Sequence, residues 1–329
     1  MYKTITTDEA NHTVIAYKDK EGQVILKKVQ QDANPGVNHT GWLCTYYVYD
    51  DFGLLRYVLQ PKAVVLLLQN STWNLTAIPY LLNEHCFRND YDSRHRLIVK
   101  KVPGAGESWM VYDGRDGLVM MQDANMRNPS TGLASWMVTM YDALNRPWRT
   151  GLLTDANPRT FHQAQASNNS SYPNTGSSNF ELLTQTFFDN YNWTSPTGLP
   201  ATMDMSNVNN GNYFITSYNS NPTYAQAIVQ STETRGMPTG TMVKVLGSSP
   251  AKYLYTVSFY DDRNRVIQTQ SINCPSTQAI IFFVAAVPKD SQRFPKRYAE
   301  HVLFLCCLLP VGQQQSLRQQ GKRTATKMA

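Results

Sequence analysis

The sequence predicts an all-β fold in which serial antiparallel β-hairpins stack into an extended sheet or a β shell. Three observations predict this fold: a turn pattern that recurs along the chain, strand-like runs on both sides of the turns, and a composition with few charges. Only 16% of the 329 residues are charged, whereas 42% are hydrophobic and 19 are Tyr. This balance is unlike that of a helical cytosolic enzyme.

The turn pattern is an Asp followed, three residues later, by a residue that tolerates a left-handed backbone. Gly reaches positive φ freely, and Asn, Asp and His are the other residues enriched there. An Asp at the first position of a type I turn accepts the backbone N–H two residues on, and the left-handed residue closes a hairpin with a bulge. The eight copies are Asp8/Asn11, Asp19/Gly22, Asp50/Gly53, Asp92/His95, Asp113/Asp116, Asp142/Asn145, Asp189/Asn192 and Asp261/Asn264.

Strand-like runs lie on both sides of these turns. Runs rich in aromatic and β-branched residues precede them, and shorter apolar runs follow them. A hairpin of this kind cannot bury its face alone, so repeated hairpins are expected to stack. The preceding runs are 46–49, 109–112, 136–141 and 253–260, and the following runs are 24–26, 54–59, 97–99 and 265–267.

The residues predicted to carry this structure fall into three groups. Turn acceptors are Asp50, Asp113, Asp142 and Asp261; left-handed closing residues are Gly53, Asn145 and Asn264; and strand-packing anchors are Tyr49, Tyr112, Tyr141 and Tyr260.

Residues 141–146 and 260–265 share the form Tyr-Asp-x-x-Asn-Arg, which resembles the YD repeat of bacterial Rhs-like proteins. The passage 102–125 is similar to the front part of large secreted YD-repeat proteins. The resemblance covers about residues 1 to 272. It departs from the repeat where His95 and Asp116 replace the usual Gly or Asn, and where Phe188-Asp189 replaces Tyr-Asp.

The resemblance implies a non-enzymatic structural segment of a large secreted or cell-surface protein. In that family the repeats wind into a β shell that encloses a variable C-terminal effector or presents a binding surface. The implied partners are the remainder of a longer YD-repeat chain, and either glycans or the effector. Because residues 1–11 contain no basic start followed by an apolar core, the sequence indicates a fragment without its export signal.

The chain is expected to have four parts: a hairpin array at 1–154, an Asn/Ser-rich insertion at 155–250, a further YD repeat at 251–272 and an atypical tail at 273–329. Within the insertion, Ala166–Asn179 and Ser206–Asn212 have the composition of surface loops or disordered segments. Between them, Phe180–Trp193 is interpreted as one degenerate hairpin.

The tail lacks charge from Cys274 to Pro288, while residues 289–329 carry eight Lys/Arg against two acidic residues. Its apolar runs are shorter than the roughly 18 to 20 residues that span a bilayer, so no transmembrane segment is expected. Three explanations stay open: contact with anionic membrane or nucleic acid, a C-terminal domain, or a shifted or truncated reading frame. The last is favoured, and no nucleic-acid partner is expected.

No cofactor, metal site or catalytic residue is expected. The five cysteines form no Cys-x-x-Cys pair, and no nucleophile elbow, zinc-binding helix or phosphate-binding loop is present. Cys44 and Cys86 could pair in an oxidising compartment or serve as apolar strand residues. Two alternative functions stay open: a glycosidase that uses two of the Asp carboxylates, and a glycan-binding module with exposed Trp42, Trp109, Trp136 and Trp193.

Overall fold

A computed structural model describes residues 1–127, 134–176, 178–205 and 229–272, together with the backbone of 279–283. The chain divides into two compact units, Met1–Thr184 and Gln185–Ala329. In both units the strands are antiparallel and follow one another in chain order. The predicted all-β fold of serial hairpins is therefore confirmed.

The first unit is a meander in which each strand from β1 to β11 pairs with the next one along the chain. These strands are β1 (Tyr2–Thr7), β2 (Thr13–Lys18), β3 (Val24–Gln30), β4 (Trp42–Tyr49), β5 (Leu55–Leu59), β6 (Cys86–Tyr91), β7 (Leu97–Lys101), β8 (Glu107–Tyr112), β9 (Leu118–Gln122), β10 (Ser135–Tyr141) and β11 (Pro147–Thr154). Strand β12 (Phe180–Phe188) runs through the division between the units.

A register shift falls next to the turn Asp in the regular hairpins. In the hairpin β10–β11, for example, the shift lies between Met140 and Tyr141, directly before Asp142. One extra residue on a strand bends it and increases its local twist. Equivalent shifts occur at Tyr17/Lys18, Val48/Tyr49, Asp90/Tyr91, Val111/Tyr112 and Phe259/Tyr260.

The connection between β5 and β6 forms two helices, α1 (Pro61–Gln69) and α2 (Leu81–Glu84), which cover one end of the first unit's sheet. Pro61 at the start of α1 is favourable because its missing N–H would have no helical partner there. Cys44 and Cys86 are buried as free thiols in the resulting cluster, so they serve as apolar strand residues and are not paired. The buried members are Cys44, Leu59, Ala63, Val64, Leu67, Ile78, Leu81 and Cys86.

Helix α3 (Arg159–Asn168) covers a second cluster in the same unit, which includes Trp136 and Val138 of β10. Ala166 of this helix is fully buried, and Tyr172 packs against the cluster. The expectation of a surface loop or disordered segment at Ala166–Asn179 is therefore wrong at these residues. Two residues of this segment, Ala166 and Tyr172, pack against the cluster. The small and polar composition of the segment therefore gave no sign that it is part of the core.

The second unit contains a 3₁₀ helix (Asn192–Thr197) and strands β13 (Pro238–Val245), β14 (Lys252–Tyr260), β15 (Val266–Ile272) and β16 (Ala279–Phe283). Strands β13 to β16 pair in chain order. Leu199 and Met203, which follow the 3₁₀ helix, are buried against Val257, Phe259 and Ile267. Part of the predicted insertion thus supplies core, as do the helices of the first unit.

The predicted degenerate hairpin at Phe180–Trp193 is wrong, because β12 ends at Phe188 and the 3₁₀ helix begins at Asn192. Of the predicted atypical tail at 273–329, only the backbone strand β16 is described, and it pairs with β15. The rest of the tail and the Ser206–Asn212 segment lie outside the described residues. Within the described part of the chain, no helix is both long and apolar enough to cross a membrane.

Candidate functional site

The recurring turn is the feature that organises side chains throughout the chain, and the turn at Asp142 shows its geometry. Asp142 Oδ1 accepts hydrogen bonds from the backbone N–H groups of Leu144 and Arg146, both at 2.9 Å. Asn145 has φ +61°, and its N–H donates to the Asp142 carbonyl at 3.0 Å. One carboxylate oxygen therefore fixes the amide of one central turn residue, Leu144, and the amide of Arg146, which follows the turn.

The same pair of Oδ1 hydrogen bonds, from the amides two and four residues on, occurs at the other predicted turn acceptors. Gly53 and Asn264 occupy the left-handed position with φ +74° and +60°. His95 and Asp116, the departures from the YD repeat, also have positive φ, at +61° and +66°. The Asp residues that share this pattern are Asp8, Asp50, Asp92, Asp113 and Asp261.

The second carboxylate oxygen binds an Arg in several of these turns. Arg146 Nε donates to Asp142 Oδ2 at 2.7 Å, and Arg96 and Arg265 do the same for Asp92 and Asp261. Burial alone would raise the pKa of the Asp142 carboxyl, but hydrogen bonds from Arg146 and Leu144 and the Arg146 charge outweigh it, so the pKa lies below its ordinary value. The carboxyl pKa values of Asp92 and Asp261 are lowered in the same way.

The turn at Asp113 uses a different Arg because Gly117 occupies the position where Arg146 lies in the turn at Asp142. Arg115 Nε donates to Asp113 Oδ2 at 3.0 Å instead. A Cβ on Gly117 would lie 3.0 Å from the Tyr141 ring and 3.2 Å from Asp113 Oδ1. A side chain at Gly117 would therefore crowd the next hairpin's tyrosine, which favours Gly here.

Tyrosine hydroxyls link five of the hairpins to the preceding one. The hairpin β12–β13 has no such tyrosine, because its first strand ends at Phe188. Tyr112 Oη donates to the Leu97 carbonyl at 2.8 Å, and Tyr141 Oη donates to the Leu118 carbonyl at 3.2 Å. In every case the donor ends the first strand of one hairpin and the acceptor begins the second strand of the hairpin before it. The remaining hairpin-linking tyrosines are Tyr49, Tyr91 and Tyr260, which donate to Val24, Leu55 and Pro238.

The sequence predicted that four of these tyrosines pack, Tyr91 not being among them, but it gave no indication that their hydroxyls join hairpins. Burial raises the pKa of Tyr112 and Tyr141, which keeps the hydroxyl protons available for donation. Sequence spacing is the signal that could have revealed four of the five links, because the acceptor is the fifth residue after the preceding turn Asp, as for Leu97 after Asp92. Pro238 is the exception, because an insertion separates it from Asp189.

Arginines add a second set of contacts between neighbouring turns of the first unit. Arg96 Nη1 donates to the Asp113 carbonyl at 3.2 Å, and Arg115 Nη1 donates to the Asp142 carbonyl at 3.4 Å. Arg94 and Arg96 also form ion pairs with Asp116, at 2.6 and 2.8 Å. Asp116 thus closes its own turn with its backbone and binds the preceding turn with its carboxylate.

The turn predicted at Asp189/Asn192 is wrong, because Asp189 closes a hairpin with a distant residue. Asp189 Oδ1 accepts the N–H of Gly236, 47 residues later, at 2.6 Å, and the Asp189 N–H donates to the Met237 carbonyl at 3.1 Å. Gly236 has φ +83°. Gly236 and Met237 therefore occupy the places that the third and fourth residues after the Asp take in a regular turn. The rest of the stretch between Asp189 and Gly236 is an insertion into this turn.

The aromatic residues named for the glycan-binding alternative are not freely exposed. Trp136 is fully buried, so it cannot stack on a sugar ring. Trp109 lies under Arg127, whose guanidinium is 3.9 Å from the ring centroid, and Trp193 stacks on Phe187 at 4.1 Å. Trp42 is partly buried and lies 4.9 Å from the Lys28 ammonium.

An aromatic groove that the sequence did not indicate lies in the first unit. Trp73, which is 51% exposed, packs edge-on against Tyr46 at 5.3 Å, and His39 hydrogen-bonds the Tyr46 hydroxyl at 2.9 Å. Val48, Leu59 and Leu75 complete the lining of a cavity of about 310 Å³. Among the described residues, no cluster of His, Cys, Asp and Glu is suited to hold a metal ion.

Comparison with protein-family models finds no match, and comparison with curated proteins finds none either. Solved structures that are similar to this chain include TcdB2-TccC3-Cdc42, at 9% identity and a TM-score of 0.38, covering 83% of this chain and 12% of that chain. A Photorhabdus luminescens Tc holotoxin pore with a TccC3 mutation matches at 11% identity and a TM-score of 0.33, covering 84% and 15%. TcdB2-TccC3 without its hypervariable C-terminal region matches at 10% identity and a TM-score of 0.32, covering 83% and 12%. These TM-scores are too low to establish a common fold. The chain spans 12 to 15% of the length of these structures.

Proposed function

We propose that this chain is a non-enzymatic structural segment of a larger secreted or cell-surface YD-repeat protein, in which its hairpins form part of a β shell. The observation that carries this proposal is the series of tyrosine hydrogen bonds between consecutive hairpins. Tyr112 and Tyr141, for example, each join a hairpin to the one before it. Contacts of this kind make each repeat depend on its neighbours, as in other repeat proteins.

The use of the carboxylates supports a structural role over acid/base catalysis. At Asp142, one oxygen accepts two backbone N–H groups and the other binds Arg146. A general acid must hold a proton near neutral pH, whereas these bonds keep the pKa of Asp142 below its ordinary value. The shell would enclose a C-terminal effector or present a binding surface, and the remainder of the longer chain is its main partner.

Detection of the native polypeptide in fractionated cells tests the proposal. Antibodies raised against residues 1–127 are expected to reveal a polypeptide much larger than 37.3 kDa, in the culture medium or on the cell surface. A native product of 37.3 kDa inside the cell would contradict the proposal. A panel of chromogenic glycosides is the catalytic control, and hydrolysis that one folded Asp→Asn variant abolishes would favour the glycosidase alternative.

A second candidate function is glycan binding, which the half-exposed Trp73 favours. Aromatic rings bind the apolar faces of sugars by stacking, and the Tyr46 hydroxyl and His39 lie beside Trp73 as hydrogen-bonding groups. Oligosaccharides would then quench Trp fluorescence saturably, and Trp73→Ala would abolish the quenching. Trp109→Phe is the matched control and should leave the quenching unchanged, because Trp109 is covered by Arg127. Quenching that survives Trp73→Ala would exclude this groove.

A further inference from the structure

Helix α3 is attached to the sheet of the first unit through a fully buried histidine. His162 Nδ1 forms a hydrogen bond with the Tyr172 hydroxyl at 2.7 Å, and the ring lies edge-on to Trp136, with centroids 4.7 Å apart. The other ring nitrogen, Nε2, is buried and makes no hydrogen bond. A neutral imidazole fits these surroundings, since only one nitrogen has a partner.

The groups around the ring determine what a second proton would meet. Asp155 Oδ1 lies 4.0 Å from Nε2, and this carboxylate is mostly buried. The Tyr172 hydroxyl faces Nδ1, and the rings of Trp136 and Phe161 carry no charge. Farther along the sheet, the buried Asp113 carboxylate is already paired with Arg115. Asp155 is thus the carboxylate that faces the imidazole among the described residues.

Burial in this site disfavours the charged ring. Desolvation lowers the pKa of His162, and the Asp155 carboxylate and the Asn157 backbone carbonyl offset this effect only in part. Asp155 raises the pKa of His162 by less than burial lowers it, because the 4.0 Å distance from Asp155 Oδ1 to His162 Nε2 is too long for a direct hydrogen bond. A buried imidazolium without a close partner is costly.

We propose that His162 makes α3 an acid-sensitive cover: neutral His162 holds the helix on the sheet, and protonation of the imidazole favours its release and exposes the apolar cluster beneath. The remaining attachments of α3 do not titrate. Gln163 exchanges hydrogen bonds with the backbone N–H and carbonyl of Tyr112, at 3.1 and 2.8 Å, and Ala166 is buried. These contacts return the helix to the same place when the pH rises. This inference does not depend on the proposed function.

The direction of the effect follows from proton linkage. The pKa of His162 is lower on the sheet than its ordinary value of 6.5, which the released helix restores. The closed state is therefore favoured fully above pH 6.5 and loses stability as the pH falls. For one histidine, the opening constant rises by at most about 25-fold between pH 7 and pH 5.

Amide hydrogen exchange of the full chain between pH 7 and pH 5, corrected for the intrinsic pH dependence of exchange, tests the proposal. Opening of α3 should increase by up to about 25-fold, while opening of strand β10 stays constant. His162→Gln should make α3 opening independent of pH. Asp155→Asn keeps an oxygen that can accept the Asn157 backbone N–H and removes a charge that raises the pKa of His162, so the pH dependence should be at least as steep as in the unmodified chain. His12→Gln, at an exposed histidine, is the control and should behave like the unmodified chain.

Two results would overturn the proposal. One is a constant opening of α3 from pH 7 to pH 5 in the unmodified chain. The other is an undiminished pH dependence in folded His162→Gln. If His162→Gln does not fold, Asp155→Asn decides the matter, because a pH dependence weaker than that of the unmodified chain would show that the proton is bound elsewhere.

Discussion

Replacement of Tyr112 by Phe removes one hairpin-linking hydrogen bond and, besides it, only a long 3.8 Å contact between the hydroxyl and Met110 Sδ. The hydroxyl donates to the Leu97 carbonyl at 2.8 Å, a short and therefore well-formed hydrogen bond. The ring stays in place, and the Arg96 guanidinium, 4.9 Å from the ring centroid, can still pack on its face. The substitution therefore isolates the contribution of the link between the hairpins β6–β7 and β8–β9.

The expected loss of stability is about 1 kcal/mol. A net hydrogen bond contributes about 0.5 to 1.5 kcal/mol, and an acceptor left without a partner adds to the loss only where water is excluded. Tyr112 is partly buried, which places the value near the middle of this range. With a urea m-value of about 1 to 3 kcal/mol/M, the unfolding midpoint should fall by about 0.3 to 1 M.

Urea unfolding of the full chain measures this loss of stability, with hydrogen exchange of amides in the first unit as the probe of unfolding. Tyr57→Phe is the matched control, because Tyr57 is also a partly buried strand tyrosine of the first unit and its hydroxyl makes no hydrogen bond within the described residues. Its midpoint should not change. Equal midpoints for Tyr112→Phe and Tyr57→Phe would refute the idea that tyrosine hydroxyls join the hairpins.

Three further predictions concern single positions. Asn145→Val should destabilise the chain by about 1 to 2 kcal/mol, because Asn145 has φ +61° and a β-branched residue is strained there; Asn145→Gly should be nearly neutral in the same urea titration. Because the carboxyl pKa of Asp142 is lowered below its ordinary value of 3.8, the Asp142 carboxylate should contribute fully to the free energy of unfolding above pH 3.8 and lose that contribution as the pH falls further. A difference in the free energy of unfolding between the unmodified chain and Asp142→Asn that is the same at pH 5 and pH 2.5 would contradict this. Gly240→Ala should cost about 1 to 3 kcal/mol by thermal unfolding, since the new Cβ would lie 2.1 Å from the Trp193 ring and 2.5 Å from the Thr256 carbonyl oxygen.

The local parts of this structure could be predicted from the sequence. A turn such as Asp142–Asn145 depends on residues within five positions of one another, and each has a distinct conformational preference. The alternation of turns and strand runs then indicated the all-β meander. The same reasoning failed at Asp189, where Asn192 offered a plausible left-handed residue nearby while the actual partner, Gly236, is far along the chain.

The non-local parts could not be predicted, because their partners are separated by long stretches of sequence. The Tyr141 hydroxyl bonds a carbonyl 23 residues earlier, and nothing in the tyrosine itself specifies that acceptor. Some segments that pack on the faces of the sheet were also missed, because they contain few apolar residues. Leu199 and Met203 lie in a polar, turn-rich region, yet both are buried against Phe259. A few apolar residues at the right distance are enough to complete a core whose other side is already a sheet.

The closure at Asp189 and Gly236 has a consequence for how such chains diversify. Both closing contacts are made by residues that flank the inserted stretch, so its length does not alter the register of the strands it joins. Lengthening a flexible connection is cheap, at about 0.6 kcal/mol for each doubling. A connection of a different length can therefore join the same two strands, provided that it brings apolar residues to cover Phe259, as Leu199 and Met203 do.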